Sequence, residues 1–190
     1  MDQIENFKLP NWCGSYNKNI ELRKKGLCEE AFKVLDQFFI DYVNQNKQSR
    51  REIVVIVNEI ADFYNNGNLY LPINLHRKII EPEIHDWIKE EPMNPIPLIW
   101  TREINFLLRA LHIESNNQIA LNKAANAIIN KISYNQHEIE AGYGYLGNPI
   151  EDIELIDSFL KFIANIVDEE KKDYYSKELE VLKMDAILSL

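Results

Sequence analysis

Four histidines and the carboxylates near them are the first candidates for chemistry, because imidazole and carboxylate groups bind transition metals. Di-iron helical bundles place a glutamate three residues before each ligating histidine. The four histidines are preceded at that distance by Ile, Pro, Arg and Tyr, and no His-Glu-x-x-His pattern occurs. We therefore predict no metal. The alternative is a metal or small-ligand site in one shared pocket, formed by Glu81, His85, Glu103 and His112.

A glycine-rich segment, residues 142–147, matches the pattern G-x-G-x-x-G of dinucleotide-binding loops. That pattern binds pyrophosphate where a buried strand delivers the glycines to the N-terminus of a helix. Residues 133–141 are polar and poor in strand-forming types, and Pro149 separates the last glycine from the next helix. The sequence therefore favours a turn-rich linker that exposes Tyr143 and Tyr145, and it predicts no cofactor.

Nucleophilic catalysis has no local signature, since the chain contains neither a G-x-S-x-G elbow nor a P-loop lysine. Cys13 and Cys28 are the only cysteines, and two thiols cannot complete a zinc site by themselves. We expect both to be reduced in a cytosolic protein; a single disulfide in an oxidising compartment is the alternative. The prediction is a protein that is not an enzyme and has no catalytic residues.

The net charge of −9, from 30 acidic and 21 basic residues, bears on the kind of partner. Binding along a phosphate backbone needs a basic surface, so this balance weighs against nucleic acid. Small basic clusters occur at residues 23–25 and 47–51. Both are candidates for phosphate contact, but three adjacent charges, as at residues 23–25, do not share one face of a helix.

The acidic charge is concentrated near the C-terminus. Residues 150–190 contain eleven acidic and five basic residues, and so carry −6 of the net charge. Asp168, Glu169 and Glu170 lie at the predicted turn before the last helix, where acids also favour the helix N-terminus. One interpretation is a solvated face that keeps the protein soluble. The other is an interaction surface that attracts a basic protein partner.

Aromatic residues outside the helical stripes are further candidates for contact. Trp12 and Tyr16 precede the first long helix, and Tyr143 and Tyr145 lie in the glycine-rich segment. Tryptophan and tyrosine are enriched at interface hot spots, and they also cover the ends of hydrophobic cores. We expect Trp12 and Trp87 to cover cores, and leave both interpretations open for the two tyrosines.

The helices that position these side chains are predicted from the periodicity of the apolar residues. Apolar residues return at steps of three and four, which is typical of amphipathic helices with one buried face. The pattern predicts an all-α fold of six to eight helices in antiparallel hairpins, either a closed bundle or a short superhelical stack. Residues 53–57 are β-branched, but their stripe continues to Tyr64, so we interpret them as helical. The stripes cover residues 31–43, 53–64, 100–111, 121–132, 153–167 and 175–186.

The breaks between stripes carry helix-boundary residues. Prolines at 92, 95 and 97 interrupt any helix there, and Ser115 or Asn116 is expected to cap the next long helix. Residues 142–149 form the longest glycine-rich break. We predict one domain over residues 1–190, with a subdivision near 142–149 as the alternative.

One segment resembles a known repeat family. Residues 26–31, Gly-Leu-Cys-Glu-Glu-Ala, followed by Leu35, resemble the second helix of a tetratricopeptide repeat. In that family the glycine lets one helix turn into the next, and the small alanine permits close approach of helices. Ser15 and Lys18 depart from the family's large apolar positions, and no 34-residue period recurs. The resemblance implies stacked helical hairpins.

Together these patterns predict a cytoplasmic protein–protein interaction domain, adaptor or regulatory, with an acidic C-terminal surface. Its partner is another protein, for which a basic protein is the candidate; the oligomeric state stays open. The alternatives are an immunity or inhibitor protein that neutralises a basic toxin such as a nuclease, and a helical-bundle enzyme. No membrane contact is expected, because the longest aliphatic run, residues 53–57, is far shorter than the roughly 20 residues that span a bilayer.

Overall fold

A computed structural model describes residues 7, 9–64, 67–137, 139, 142 and 144–190, without the side chains of residues 67 and 68. Across these ranges every regular element is a helix and no strand occurs. The all-α prediction is confirmed, and residues 53–57 are helical. No helix in these ranges is both long and apolar enough to cross a bilayer.

The chain divides into two compact units, Met1–Pro92 and Met93–Leu190. The division falls among the prolines at the start of the second unit and not in the glycine-rich break at 142–149. Proline lacks a backbone donor and restricts the residue before it, so a helix does not continue through this stretch. A single domain over residues 1–190 stays a prediction.

The first unit is built around three long helices and a fourth that contains a π-helical segment. In chain order it contains a 3-10 turn (Asn11–Cys13), α1 (Gly14–Lys24), α2 (Cys28–Val43), α3 (Lys47–Phe63), α4 (Gly67–Tyr70), α5 (Ile73–Leu75), the π-helical segment (His76–Ile80) and α6 (Glu81–Glu90).

The hairpin of α1 and α2 turns at Gly26, which has a φ of 76°. This left-handed conformation strains side-chain-bearing residues, so glycine is the residue expected there. Ala31 and Leu35 are buried on the face that α2 turns towards its neighbours. The turn and the close approach that the repeat-like segment implies are both present in this hairpin.

A π-helical turn at His76–Ile80 joins α5 to α6, and the amide of Glu81 donates to the carbonyl of His76. Pro82, the next residue, has no N–H to donate into a regular α-helical ladder. The wider π turn lets the helix pass this position without a break. The periodicity of the sequence predicts no such turn, because apolar spacing does not report backbone hydrogen bonds.

The second unit contains α7 (Pro95–Ile99), α8 (Ile104–Ile113), α9 (Gln118–Gln136), α10 (Pro149–Leu160), a 3-10 turn (Ile163–Asn165) and α11 (Glu169–Leu188). The apolar stripe over residues 153–167 does not form one continuous helix, because α10 ends at Leu160 and a 3-10 turn follows.

Side-chain caps fix the starts of α7, α9, α10 and α11 in the second unit. Each cap accepts a hydrogen bond from an amide of the first turn, which would otherwise have no partner. The predicted cap at Ser115 or Asn116 is wrong by one or two residues, because the Asn117 side chain accepts from the Ala120 amide at 3.0 Å. The capping residues are Asn94, Asn117, Asn148 and Asp168.

Candidate functional site

Helix α11 is apolar on two opposite faces. One face is buried in the second unit through Tyr175, Leu179, Leu182 and Ala186. The other is exposed, although an outward helix face is normally polar. It carries four large apolar side chains, which are 53, 59, 56 and 79% exposed and which we call the α11 stripe: Tyr174, Val181, Met184 and Leu188.

Spacing places the members of the α11 stripe on a single face. Tyr174, Val181 and Leu188 follow one another at seven residues, or about two helical turns. Met184 lies three residues after Val181 and four before Leu188, so its side chain adjoins both. Lys177, which pairs with Asp173, interrupts this face between Tyr174 and Val181. The contiguous apolar part is therefore Val181, Met184 and Leu188, and exposed apolar groups of that kind mark interaction surfaces.

Four carboxylates of the same helix have no ion-pair partner among the described residues. We call Glu170, Glu178, Glu180 and Asp185 the four α11 carboxylates. The other acids of this region are compensated: Asp168, Glu169 and Asp173 pair with Lys171, Lys172 and Lys177 at 3.8, 3.1 and 2.6 Å. Uncompensated negative charge therefore lies beside the α11 stripe.

A cleft of about 570 Å³ lies between the C-terminal ends of α9 and α11. Gln136 borders it and donates from Nε2 to the carbonyl of Leu182 at 2.7 Å, which ties the two helices together. Asp185 and Leu188 line the same cleft, so the cleft continues the α11 stripe. Its lining is mixed: Ile139, Leu182 and Leu188 are apolar, and the polar side chains are Ser133, Gln136, His137, Asp185 and Ser189. A cleft of this kind accepts an apolar anchor whose neighbouring cation contacts the Asp185 carboxylate.

The acidic residues predicted before the last helix have different roles. Asp168 caps α11 by accepting from the Lys171 amide at 3.1 Å. Glu169 pairs with Lys172, and Glu170 is the only one of the three without an ion-pair partner among the described residues. The sequence thus pointed to the helix that carries the candidate surface, but Asp168 and Glu169 are compensated.

The glycine-rich segment is held by a buried carboxylate, Asp152, which is 1% exposed. It accepts hydrogen bonds from Lys131 Nζ at 2.7 Å, Asn135 Nδ2 at 2.6 Å and the Tyr145 hydroxyl at 2.6 Å. We call these four residues the Asp152 cluster. Burial raises the pKa of Asp152, but the hydrogen bonds from Lys131, Tyr145 and Asn135 outweigh it, so the pKa lies below its usual range.

The glycines at 142–147 have structural roles in this arrangement. Gly142 and Gly144 have φ values of 83° and 86°, in the left-handed region. A side chain at Gly147 would overlap the Asn135 side-chain amide, a member of the Asp152 cluster. Tyr145 points at Asp152, while Tyr143 lies outside the described residues. Turn geometry and close packing thus account for the glycines.

The aromatic candidates of the first unit pack against its core. Trp12 is half-buried and stacks on Phe38 with the ring centroids 5.6 Å apart. Tyr16 is fully buried, and its hydroxyl donates to the carbonyl of Tyr70 at 2.7 Å. A fully buried side chain offers no surface to a partner, so we place Tyr16 in the core and not at an interaction surface.

The candidates for a ligand pocket are distributed over both units. Glu81 and His85 belong to the first unit, whereas Glu103 and His112 belong to the second. Glu103 and His112 are exposed, and the His112 ring meets Phe162 edge-on at 5.2 Å. In the part of the chain that the structure describes, no three His, Cys, Asp or Glu side chains are grouped to hold a metal ion.

The basic cluster at residues 47–51 is compensated by acids of α6. Arg51 pairs with Glu90 and Glu91, and its guanidinium lies 4.9 Å from the centre of the Trp87 ring. Lys47 contacts Glu90 at 2.8 Å. Glu83 lies at the centre of these ion pairs and is 9% exposed. We call the whole set the Glu83 network. Its full membership is Lys47, Arg50, Arg51, Glu83, Glu90 and Glu91.

Comparison with known proteins adds no relative, because no family model, curated protein or solved structure matches this chain. The geometry of the described surface therefore carries the functional inference.

The sequence prediction missed the α11 stripe because it followed the buried stripe of the same helix. The signal was present: Tyr174, Val181 and Leu188 recur at seven residues on the opposite face.

Proposed function

We propose that this protein is a non-enzymatic interaction domain, adaptor or regulatory, that binds another protein through α11. The observation that carries the proposal is the α11 stripe, four large apolar side chains exposed together on one helix face. Burying such a face in a partner removes apolar surface from water, at about 25 cal/mol for each Å². Exposed helix faces of this kind are bound by grooves or by a second amphipathic helix.

Charge defines the partner further. The four α11 carboxylates lie beside the stripe without ion-pair partners among the described residues, and the chain has a net charge of −9. A negative surface raises the association rate of a positively charged partner and disfavours acidic ones. This supports a basic partner. An inhibitor of a basic toxin, such as a nuclease in an immunity pair, is one form that such a function takes.

A reducing compartment such as the cytoplasm belongs to the same proposal. Cys13 and Cys28 are both free thiols, the first buried and the second exposed. Burial, followed by the charges of Glu52 and Asp41, raises the pKa of the Cys13 thiol to about 12. Such a thiol stays protonated and unreactive, because the thiolate is the nucleophile.

A second exposed apolar set lies on α2 of the first unit and includes Phe32, Ile40 and Val43. Phe39 lies on the same helix, and the ammonium of Lys78 from the π-helical segment lies 4.9 Å from the centre of its ring. A cation of the same chain therefore already covers part of this surface. The α11 stripe instead adjoins a cleft and uncompensated acids. We therefore favour α11, and use α2 as the matched control.

The experiment compares three immobilised full-length proteins in a lysate of the source organism, with bound proteins quantified by mass spectrometry. The wild type is compared with V181S/M184S/L188S on α11 and with F32S/I40S/V43S on α2. We expect at least one protein to be retained by the wild type and the α2 variant and lost from the α11 variant. Equal retention by all three proteins, with both variants folded by circular dichroism, would remove α11 as the binding surface.

A further inference from the structure

The length of the α11 stripe matches a helical partner. From Tyr174 to Leu188 the helix rises by 14 residues, or about 21 Å at 1.5 Å per residue. Steps of three, four and seven residues are the anchor pattern by which two helices pack along one another. A partner helix of about four turns would cover the whole stripe.

Carboxylates flank the stripe on both sides. At about 100° per residue, Glu180 lies on one side of the line through Val181 and Leu188, and Glu178 and Asp185 lie on the other. A helix that lays an apolar face along the stripe would place the residues beside its own apolar face opposite these acids. Positively charged residues on both flanks complement them.

The adjoining cleft adds a place for one larger side chain. Leu182 and Leu188 form apolar walls, and the Asp185 carboxylate lies at the same cleft. Interface hot spots are large side chains that fill well-packed pockets of the partner. An apolar anchor of the partner can enter this cleft while a neighbouring lysine or arginine contacts Asp185.

We infer that the segment bound by α11 is a basic amphipathic helix, whose apolar face covers Tyr174, Val181, Met184 and Leu188 and whose flanking lysines or arginines face Glu178, Glu180 and Asp185. The inference rests on the proposed function and names the chemistry of its partner. It also places the larger apolar anchor of the partner helix at the C-terminal end of the stripe, because the cleft lies there.

Charge distinguishes this occupant from two others. A second copy of the chain would bring its own four α11 carboxylates against the first set, and like charges in contact disfavour association. A bilayer with anionic lipids repels the same acids. A basic helix is the occupant that compensates the charge and covers the apolar face together.

The test uses full-length protein and fluorescent peptides of defined composition. The probe is a helical peptide of leucine and lysine, with leucines at steps of three and four residues. One control peptide replaces every lysine with glutamate, and a second keeps the composition but scrambles the leucine positions. Fluorescence anisotropy gives the Kd for the wild type, V181S/M184S/L188S, E178Q/E180Q/D185N and the α2 control F32S/I40S/V43S.

We expect the wild type and the α2 control to bind the leucine–lysine peptide with equal Kd, and the other two peptides at least about tenfold more weakly. The stripe variant should lose about tenfold or more in affinity, because hot-spot anchors are removed. The wild-type Kd should rise between low salt and about 0.5 M salt, which screens exposed charge, whereas that of E178Q/E180Q/D185N should change little.

Three results would overturn the inference. Equal affinity of the peptide for the wild type and the stripe variant would place binding elsewhere. Equal affinity for the lysine and glutamate peptides would remove the basic character of the partner. Sedimentation of the wild type as a dimer that V181S/M184S/L188S dissociates would assign the stripe to a second copy. A protein captured through α11 from a lysate, together with any of these results, would leave the proposed function standing and reject only the basic helix.

Discussion

Two sets of carboxylates, one in each unit, have opposite roles. In the first unit, Glu83, Glu90 and Glu91 each have an arginine partner on α3, and the basic cluster is compensated within the chain. In the second unit, the four α11 carboxylates have no ion pair with any described residue and adjoin exposed apolar groups. Acids of the first kind join elements of one fold, whereas acids of the second kind are available to another molecule.

The difference shows that a charge cluster in a sequence does not by itself predict a charged surface on the folded protein. Residues 47–51 are basic in sequence and the last helix is acidic. After folding, the basic cluster is paired with acids, whereas the four α11 carboxylates have no ion pair with a described residue. The partners that compensate the first cluster lie 32 to 43 residues away along the chain. Long-range packing therefore decides which clusters remain for recognition.

Removing Glu83 should have the largest effect on stability. Glu83 Oε2 accepts from the Tyr42 hydroxyl at 2.7 Å and lies 3.2 Å from Arg50 Nε. The variant Glu83→Ala leaves these groups without their carboxylate, and removing one partner of a buried pair costs about 3 kcal/mol or more. Urea unfolding followed by circular dichroism measures the loss, and hydrogen exchange of α2, α3 and α6 locates it in the first unit.

The matched control is Glu180→Ala, which removes an exposed carboxylate that has no ion pair with the described residues. We expect its free energy of unfolding to stay within about 0.5 kcal/mol of the wild type. Equal losses in the two variants would abolish the distinction between compensated and uncompensated acids.

Asp152 is a buried, compensated acid of the second unit, and its removal should have the next largest effect. Asp152→Asn keeps the size of the side chain but removes the charge that faces Lys131. Hydrogen bonds to charged groups contribute about 1.5–3 kcal/mol, so we expect a loss of about 2 kcal/mol in the free energy of unfolding.

Tyr145→Phe provides the control within the same cluster. It deletes a single hydrogen bond to Asp152 and keeps the carboxylate and its contact with Lys131. A loss of about 1 kcal/mol is expected. If Tyr145→Phe cost as much as Asp152→Asn, the ion pair with Lys131 would contribute nothing to stability.

Acid should remove part of the Asp152 contribution. The folded-state pKa of Asp152 lies below its usual range, because its hydrogen-bond partners outweigh the effect of burial. Its stabilising effect is therefore complete above the unfolded-state pKa, about 3.9, and is lost as the pH falls through the lower folded-state pKa. The difference in unfolding free energy between wild type and Asp152→Asn should shrink from pH 5 towards pH 2. A difference that grows in acid would contradict the lowered pKa.

The sequence predicted the helical fold well because burial of one face leaves a direct periodic signal. The stripe from Ile53 to Tyr64 was enough to overrule β-branched residues and assign a helix, as the structure confirms. Local hydrogen bonding was harder to predict. The π turn before Pro82 and the cap at Asn117 depend on single backbone groups, which apolar periodicity does not report.

The candidate site was predicted only in its location. The sequence indicated the acidic last helix, but it did not separate Asp168 and Glu169, which are compensated within α11, from Glu180 and Asp185. It also placed Tyr16 before the first long helix, but Tyr16 lies within α1 and is fully buried. Which of two apolar faces packs inward depends on contacts distant in sequence, so periodicity alone could not identify the α11 stripe.

Neutralising the acids beside the α11 stripe should have the smallest effect on stability. E178Q/E180Q/D185N removes three carboxylates that have no ion pair with the described residues, while Glu170 is kept because acids in the first turn favour the helix. Less mutual repulsion, and one acid fewer near the helix C-terminus, should raise the free energy of unfolding slightly, by about 0.5 kcal/mol or less.

Thermal unfolding at low salt measures this small gain, and added salt should erase it because salt screens exposed charges. Glu83→Gln is the opposite case, since neutralising a compensated acid should lower the melting temperature. A clear loss of stability in E178Q/E180Q/D185N would show that these acids have partners within the fold. A gain, together with the weak salt dependence of peptide binding expected for the same variant, would show that a charge arrangement unfavourable to folding serves recognition.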